Sequence, residues 1–240
     1  MLVEVIACTL ADAVVARDAG ADRVELCLAI EVGGLTPYLE TIAGISTLAA
    51  FPVAVMVRPQ PGVFVGLNDS IVKQIKRIVA FGLPNVHIVT GALRDDRTLD
   101  LEGLKSFRAA CNGVPLVCHR CFDLTPDPFA ALEQLIDLGF ERVLTSGQAP
   151  TASEGTEVIA QLVIQAKGRI EIIAGSGVRP HNVAEIIRRT GVSQVHASCF
   201  EEVVGPRGAV DFGPTLRISA VKVAALVAAA EPTQDPTIAP

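Results

Sequence analysis

The side chains able to do chemistry in this 240-residue chain stand at the ends of short apolar runs. Glu25 and Cys27 follow Val24, and His87 follows Val86. Thr145, Ser146 and Gly147 come just after Val143, and His196 and Ser198 after Val195. Four further runs end near Cys8, at Arg58, at Cys118-His119-Arg120, and at Gly175-Ser176-Gly177. His119 and His196 titrate near neutral pH, and Glu25 and Asp123 are carboxylates suited to orient them or take a proton, which together is acid–base chemistry. Arg23, Arg58, Arg120, the Ser146-Gly147 turn and the Gly175 to Gly177 turn form a candidate anion site. Guanidinium binds carboxylate or phosphate bidentately, and Gly-rich turns expose backbone N–H groups. Cys8, Cys27, Cys118 and Cys121 are soft donors of the kind that ligate Cu(I). Cys118 and Cys121 also make a C-x-x-C spacing, which lowers a thiol pKa when it opens a helix; at a strand end it does not.

Each of these signals has a plainer reading. Arg23 with Glu25, and Arg120 with Asp123, are equally explained as buried ion pairs that close a barrel. A histidine on an apolar strand is commonly a hydrogen-bonded structural residue, Gly-Ser-Gly is also a tight turn, and Cys111 at a helix end only packs. The joint pattern on one rim is what favours function.

The elements that must position these residues announce themselves by repetition. Gly-x-x-x-Val recurs at Gly20/Val24, Gly82/Val86, Gly139/Val143 and Gly191/Val195. The Gly suits a helix C′ position with φ > 0, and the β-branched run after it suits a buried strand. Between these junctions lie the runs Val3 to Ile6, Pro52 to Val57, Val114 to Cys118 and Ile170 to Ala174, which brings the strands to eight. Helices are expected over Leu10–Ala19, Tyr38–Ala50, Ser70–Phe81, Leu101–Cys111, Pro128–Leu138, Glu154–Lys167, His181–Arg189 and Thr215–Ala230. Eight alternations of strand and helix predict an α/β fold with a parallel sheet closed into a (β/α)8 TIM barrel. In that fold the strand ends listed above share one rim, where βα loops carry function, and the turn after strand seven lies where many barrels bind phosphate.

An open doubly wound sheet would place a Gly-x-Gly-x-x-Gly turn after the first strand, where this chain has Cys8-Thr9-Leu10-Ala11; no organic cofactor is expected. A net charge of −6, one Tyr and no Trp argue against a nucleic-acid partner. The longest apolar stretch near the C-terminus, around Val221–Ala230, contains Lys222 and is too short for a bilayer of about 20 residues, so no membrane partner is expected. Glu4 interrupts the first apolar run, which does not read as a signal peptide, and the six cysteines read as free thiols in a cytoplasmic protein. One barrel domain is expected over residues 1–230, with a flexible, Pro-rich tail over 231–240.

Taken together, Gly20-Ala-Asp-Arg-Val-Glu-Leu-Cys27, Gly33-Gly-Leu-Thr-Pro37, Val57-Arg-Pro59, Gly91-Ala-Leu93, His119-Arg-x-Phe-Asp123, Arg142-Val-Leu-Thr-Ser-Gly147 and Val195-His-x-Ser198 resemble the CutC family, the copper homeostasis proteins, over roughly residues 2–198. The resemblance implies a cytoplasmic TIM barrel, a homodimer or higher homo-oligomer, associated with copper tolerance and Cu(I) binding. It implies no established reaction. Where family members place a first thiol, two residues after Glu4, this chain has Ile6, so a two-thiolate Cu(I) site needs Cys8 as the replacement partner of Cys27. The family's Arg-Pro-Arg-Gly-Gly-Asp-Phe loop reads Arg58-Pro-Gln-Pro-Gly-Val-Phe64 here, which changes the charge of the pocket.

Two functions compete on this sequence. One is a copper-associated protein that binds Cu(I) through Cys27 with Cys8 or with the Cys118/Cys121 pair. The other is an enzyme acting on a small anionic, phosphorylated or carboxylated, sugar-like substrate held by the arginines and turned over by His119, His196 and Glu25. A third, blander reading is an interaction scaffold with structural rim charges.

Overall fold

The computed structural model describes residues 1–48, 50–62, 68–203 and 215–231. Eight strands close in chain order into a parallel barrel: β1 (Leu2–Ala7), β2 (Arg23–Leu26), β3 (Val53–Met56), β4 (Val86–Thr90), β5 (Leu116–Cys118), β6 (Arg142–Thr145), β7 (Glu171–Gly175) and β8 (Gln194–Ala197). The helices between them are α1 (Leu10–Asp18), α2 (Leu39–Ala43, continued by a 3-10 turn over Gly44–Leu48), α3 (Asn68–Val79), α4 (Leu101–Cys111), α5 (Pro128–Asp137), α6 (Thr156–Ala166) and α7 (Val183–Thr190).

The TIM barrel expected from the repeat is the fold observed. All four repeat glycines adopt the left-handed backbone that ends a helix, with φ of 95°, 60°, 72° and 71° at Gly20, Gly82, Gly139 and Gly191. Helix starts are equally local: Thr9 and Asp12 form a reciprocal capping box for α1, and Asp127 caps α5 ahead of Pro128 at its first position.

Strand alternation sorts the core into two layers. Outward residues such as Val5, Val24, Val55, Ile88, Leu116 and Val195 pack under the helices in one large cluster. Inward residues Ala54, Met56, Val89, Val117, Leu144 and Ile173, with Cys27, fill the barrel's middle in a second, smaller one.

One expected helix is shorter than its pattern. Thr215–Ile218 forms strand β10, antiparallel to β9 (Phe200–Val203), and only Ala220–Ala230 is helical (α8). The hairpin interrupts the step from β8 to its helix because Thr215 to Ile218 find backbone partners on β9, a pairing that local periodicity does not reveal. The expected tail over 232–240 lies outside the described residues. Among the described residues, no helix is long and apolar enough to cross a membrane.

Candidate functional site

A cavity of about 460 Å³ opens at the C-terminal ends of the strands, floored by Ile6, Met56 and Leu144. Of the residues singled out above, Glu25, Cys27, Arg58, His119, Arg120, Cys121, Gly177 and His196 line it. They arrive from β2, β3, β5, β7 and β8 or the loops just after them, as barrel architecture requires.

At its centre is a carboxylate–imidazole–carboxylate arrangement. His196 Nδ1 hydrogen-bonds Glu4 Oε1 at 2.7 Å, and its Nε2 faces Glu25 Oε2 at 3.9 Å. Register explains the first contact, since Glu4 pairs across the closing seam with His196 and across the opposite edge with Arg23. Burial alone would raise the Glu4 carboxyl, but the His196 hydrogen bond and the Arg23 charge overcome it and hold Glu4 at about 2. For Glu25, burial wins and its pKa is raised, with His196 offsetting part of the effect. For His196, burial favours the neutral ring, yet Glu25 and Glu4 together hold its pKa above the ordinary imidazole value. Two carboxylates flanking one histidine thus titrate in opposite directions, the pattern that separates an acid from a base.

His119 stands across the cavity. It caps the 3-10 helix Arg120–Leu124, its Nδ1 accepting the Cys121 backbone N–H at 3.2 Å. Nε2 is buried with no hydrogen-bond partner among the described residues. With Nδ1 acting as acceptor, the neutral ring carries its proton on Nε2, a donor that awaits an acceptor. Gly91 makes room for this corner. A Cβ there would lie 2.4 Å from Cys121 Sγ and 2.9 Å from His119 Cε1.

Several sequence expectations are corrected by these contacts. Arg23 does not face Glu25's cavity; it donates to Glu4 and, at 2.7 Å, to Gln194 Oε1 in the barrel floor. There the chain of contacts continues from Gln194 to Glu171, from Glu171 to Arg142 at 3.7 Å, and from Arg142 to His87. Asp123 is not a base facing the cavity. Its carboxylate accepts from Arg120 Nε, Thr145 Oγ1 and the backbone N–H groups of Ser146 and Gln148, and so anchors the loop after β6. That use of Ser146 N–H, with Gly147 N–H donating to Thr145 Oγ1 at 2.9 Å, leaves the Ser146-Gly147 turn no donors for an anion. Gly175 is a strand residue, and a Cβ on it would lie 2.6 Å from Leu144 Cδ1.

The rim arginines also have protein partners. Arg58 Nη1 donates to the carbonyls of Val32 and Gly34, at 2.8 and 2.9 Å, tying two rim loops together. Arg120 pairs with Asp123 at 2.9 Å and donates to Ser146 Oγ, the ion-pair reading of the sequence. Arg179, which sequence reasoning missed, lines the cavity beside Ser176, Gly177 and Ser198. Glu4 and Gln194 were missed too. Their signal was a polar residue at an inward position of a strand buried on both faces, which has to find a partner.

The four candidate metal thiols form two pairs. Cys27 and Cys8 follow paired strands, and the interaction of their thiols lowers the Cys8 pKa and raises that of Cys27. Cys118 and Cys121 lie with sulfurs 3.9 Å apart. Cys118 is fully buried on the outer face of β5, and Cys121 reaches the cavity wall from the 3-10 turn. Glu4, Glu25 and His196 place one ligand atom each within 4.8 Å of one another. As a Cu(I) site that group fits poorly: two ligands are hard carboxylates, and Glu4 is already committed to Arg23. The soft donors are the thiols.

Comparison with known proteins gives the chain its relatives. The CutC family model matches residues 1–201. A CutC family protein of Glaesserella parasuis is 43% identical over 199 residues, covering 82% of each chain. The human copper homeostasis protein cutC homolog is 37% identical over 236 residues, covering 96% of this chain and 82% of the human one. Among solved structures, CutC from Streptococcus agalactiae superposes with a TM-score of 0.75 at 35% identity, over 82% of this chain and 97% of that one. The matched span carries every strand of the barrel and every side chain of the mouth described above. The chain belongs to the CutC family.

Proposed function

We propose that this protein serves copper homeostasis by binding Cu(I) between Cys8 and Cys27 at the barrel mouth. The observation that carries the proposal is register: β1 and β2 pair with Ala7 opposite Leu26, so the next residues, Cys8 and Cys27, come side by side, with the Cys27 N–H bonded to the Ala7 carbonyl at 3.0 Å. Cys8 thereby takes the place that Ile6 leaves without sulfur, and two thiolates match the softness of Cu(I). The lowered pKa of Cys8 reduces the proton cost of forming the first thiolate. The human relative's name, copper homeostasis protein cutC homolog, supports the same reading. All six cysteines are free, which suits the reducing cytoplasm. Anaerobic competition with a coloured Cu(I) chelator tests the site. Tight one-to-one binding should be lost in Cys8→Ser and in Cys27→Ser, and retention of parental affinity in both would remove the assignment.

A second reading rests on its own observation: Glu25 and His196 face each other at 3.9 Å while His119 Nε2 has no partner among the described residues. That arrangement suits proton transfer on a small anionic substrate, with Arg58, Arg120, Arg179 and Gly177 around it. Thermal shift with inorganic phosphate, small carboxylates and sugar phosphates tests this reading. A rise in Tm that vanishes in His119→Gln supports it, and indifference to the whole panel counts against it.

A further inference from the structure

Cys118 and Cys121 have no part in the Cys8–Cys27 site. From their placement we propose that they form a thiol–disulfide exchange site, in which Cys121 attacks a small disulfide entering the cavity and Cys118 resolves the product into an intramolecular disulfide.

Three features carry this. Cys121 is only 8% exposed, yet the residue lines the cavity wall, which is the side from which a ligand reaches it. A resolving thiol stands 3.9 Å away, and the C-x-x-C spacing closes a short loop. Cys118 is fully buried and does not line the cavity, whereas Cys121 does, so an incoming disulfide meets Cys121 first and Cys118 is left to resolve the product.

Neighbouring groups fit the same role. His119 sits between the two cysteines in sequence, and its ring adjoins Cys121 across the space that Gly91 leaves open. An imidazole beside a thiol favours the thiolate, which is the nucleophile. The Cys118–Cys121 sulfur contact, followed by the neighbouring His119 imidazole, outweighs burial and holds the Cys121 pKa below the ordinary thiol value. Cys111 and Cys199, by contrast, are raised by burial to about 12 and about 11, and neither lines the cavity.

The chemistry balances with a small disulfide of the glutathione type as the oxidant. Cys121 thiolate attacks one sulfur, a mixed disulfide forms and one small thiolate leaves. Cys118, losing its proton to solvent or to that thiolate, then attacks the Cys121 sulfur and expels the second small thiolate. The protein loses two hydrogens and two electrons, and one disulfide becomes two thiols.

Reduced protein incubated with glutathione disulfide, then alkylated and digested with trypsin without reduction, provides the test. Cleavage after Arg120 separates the two cysteines, so their disulfide appears as peptide 109–120 joined to peptide 121–142. Because the first peptide also holds Cys111, fragmentation must place the link at Cys118. The expected result is that linked pair, its complete loss in Cys121→Ser, and one retained glutathione on Cys121 in Cys118→Ser. His119→Gln is expected to slow the first step about tenfold. The proposal is overturned if parent protein keeps both thiols alkylatable at excess disulfide, or if only a Cys8–Cys27 link forms. The parent digest alone decides this, so a variant that fails to fold does not blur the answer. Copper binding at Cys8 and Cys27 is read separately by chelator competition, and either result there leaves this outcome standing.

Discussion

The two ends of the barrel interior treat charge differently. In the floor, Arg23 holds Glu4 and Gln194, Gln194 holds Glu171, and Arg142 joins Glu171 to His87, leaving only Arg142 Nε of this group buried without a partner among the described residues. At the mouth, Glu25 has its nearest cationic partner at 3.9 Å, His119 Nε2 has none among the described residues, and the Cys118 and Cys121 sulfurs lie 3.9 Å apart. The floor is a network complete but for that one Arg142 N–H, of the kind that specifies strand register. The mouth leaves buried polar groups for something else to complete. Titration reflects the contrast. Glu4 and His87 have depressed pKa values, while Glu25, His119 and His196 have raised ones.

Removing a floor charge gives the largest expected effect. Glu4→Gln leaves Arg23 buried without its counter-charge, and urea unfolding should show a loss of about 3–5 kcal/mol. A loss under about 1 kcal/mol would mean that the floor is not the stabilising end.

Acid should undo the same network in the parent. Between pH 4.5 and about 2 the unfolded chain binds a proton at Glu4 that the folded protein refuses, and His87 behaves likewise between 6.5 and about 4. Stability conferred by the floor is therefore present above these windows and falls as pH drops through them. At the mouth the sign reverses. Folded Glu25 and His196 hold their protons more tightly than the unfolded chain, so their contribution is present below the unfolded values and is lost as pH rises through the folded ones. Tm against pH should peak between the limbs, with Glu4→Gln flattening the acid side and Glu25→Gln the alkaline side. A profile in which either variant flattens the opposite limb would dissolve the distinction.

Crowding the mouth should cost less. Gly91→Ala pushes a methyl against Cys121 Sγ and the His119 ring, and calorimetry should show a destabilisation of about 1–3 kcal/mol. The smallest effect carries the opposite sign: Glu25→Gln removes a buried, weakly paired charge and should stabilise by about 1 kcal/mol at pH 7. Destabilisation there instead would place Glu25 among the satisfied groups of the floor.

The barrel was legible because its cues are local and repeated. Each Gly-x-x-x-Val marks a helix end and a strand start, and the glycines at 20, 82, 139 and 191 all take the expected backbone. The β9–β10 hairpin was not legible, since Thr215 to Ile218 acquire strand geometry only from partners on residues 200–203. The mouth was legible as a set of strand-end residues on one rim. Partner choice was not: Arg23 and Glu25 share one strand face, yet Arg23 pairs across the sheet with Glu4, because register rather than sequence distance decides which charges meet. For Asp123 the sequence offered a base or an ion pair with Arg120; its remaining donors were not legible because they lie on a loop more than twenty residues away.

The hydrogen bond between Glu4 and His196 spans 192 residues and crosses the seam where β8 meets β1. A chain emerging from the ribosome pairs Glu4 with Arg23 early, but the imidazole that takes the second carboxylate oxygen is made only when β8 is translated. Until then β1 is an open sheet edge with a half-matched charge, exposed to the wrong strand. The imidazole thus acts as a late clasp: closure of the ring waits on the arrival of β8, which puts in place, in the same event, the histidine on which the mouth depends.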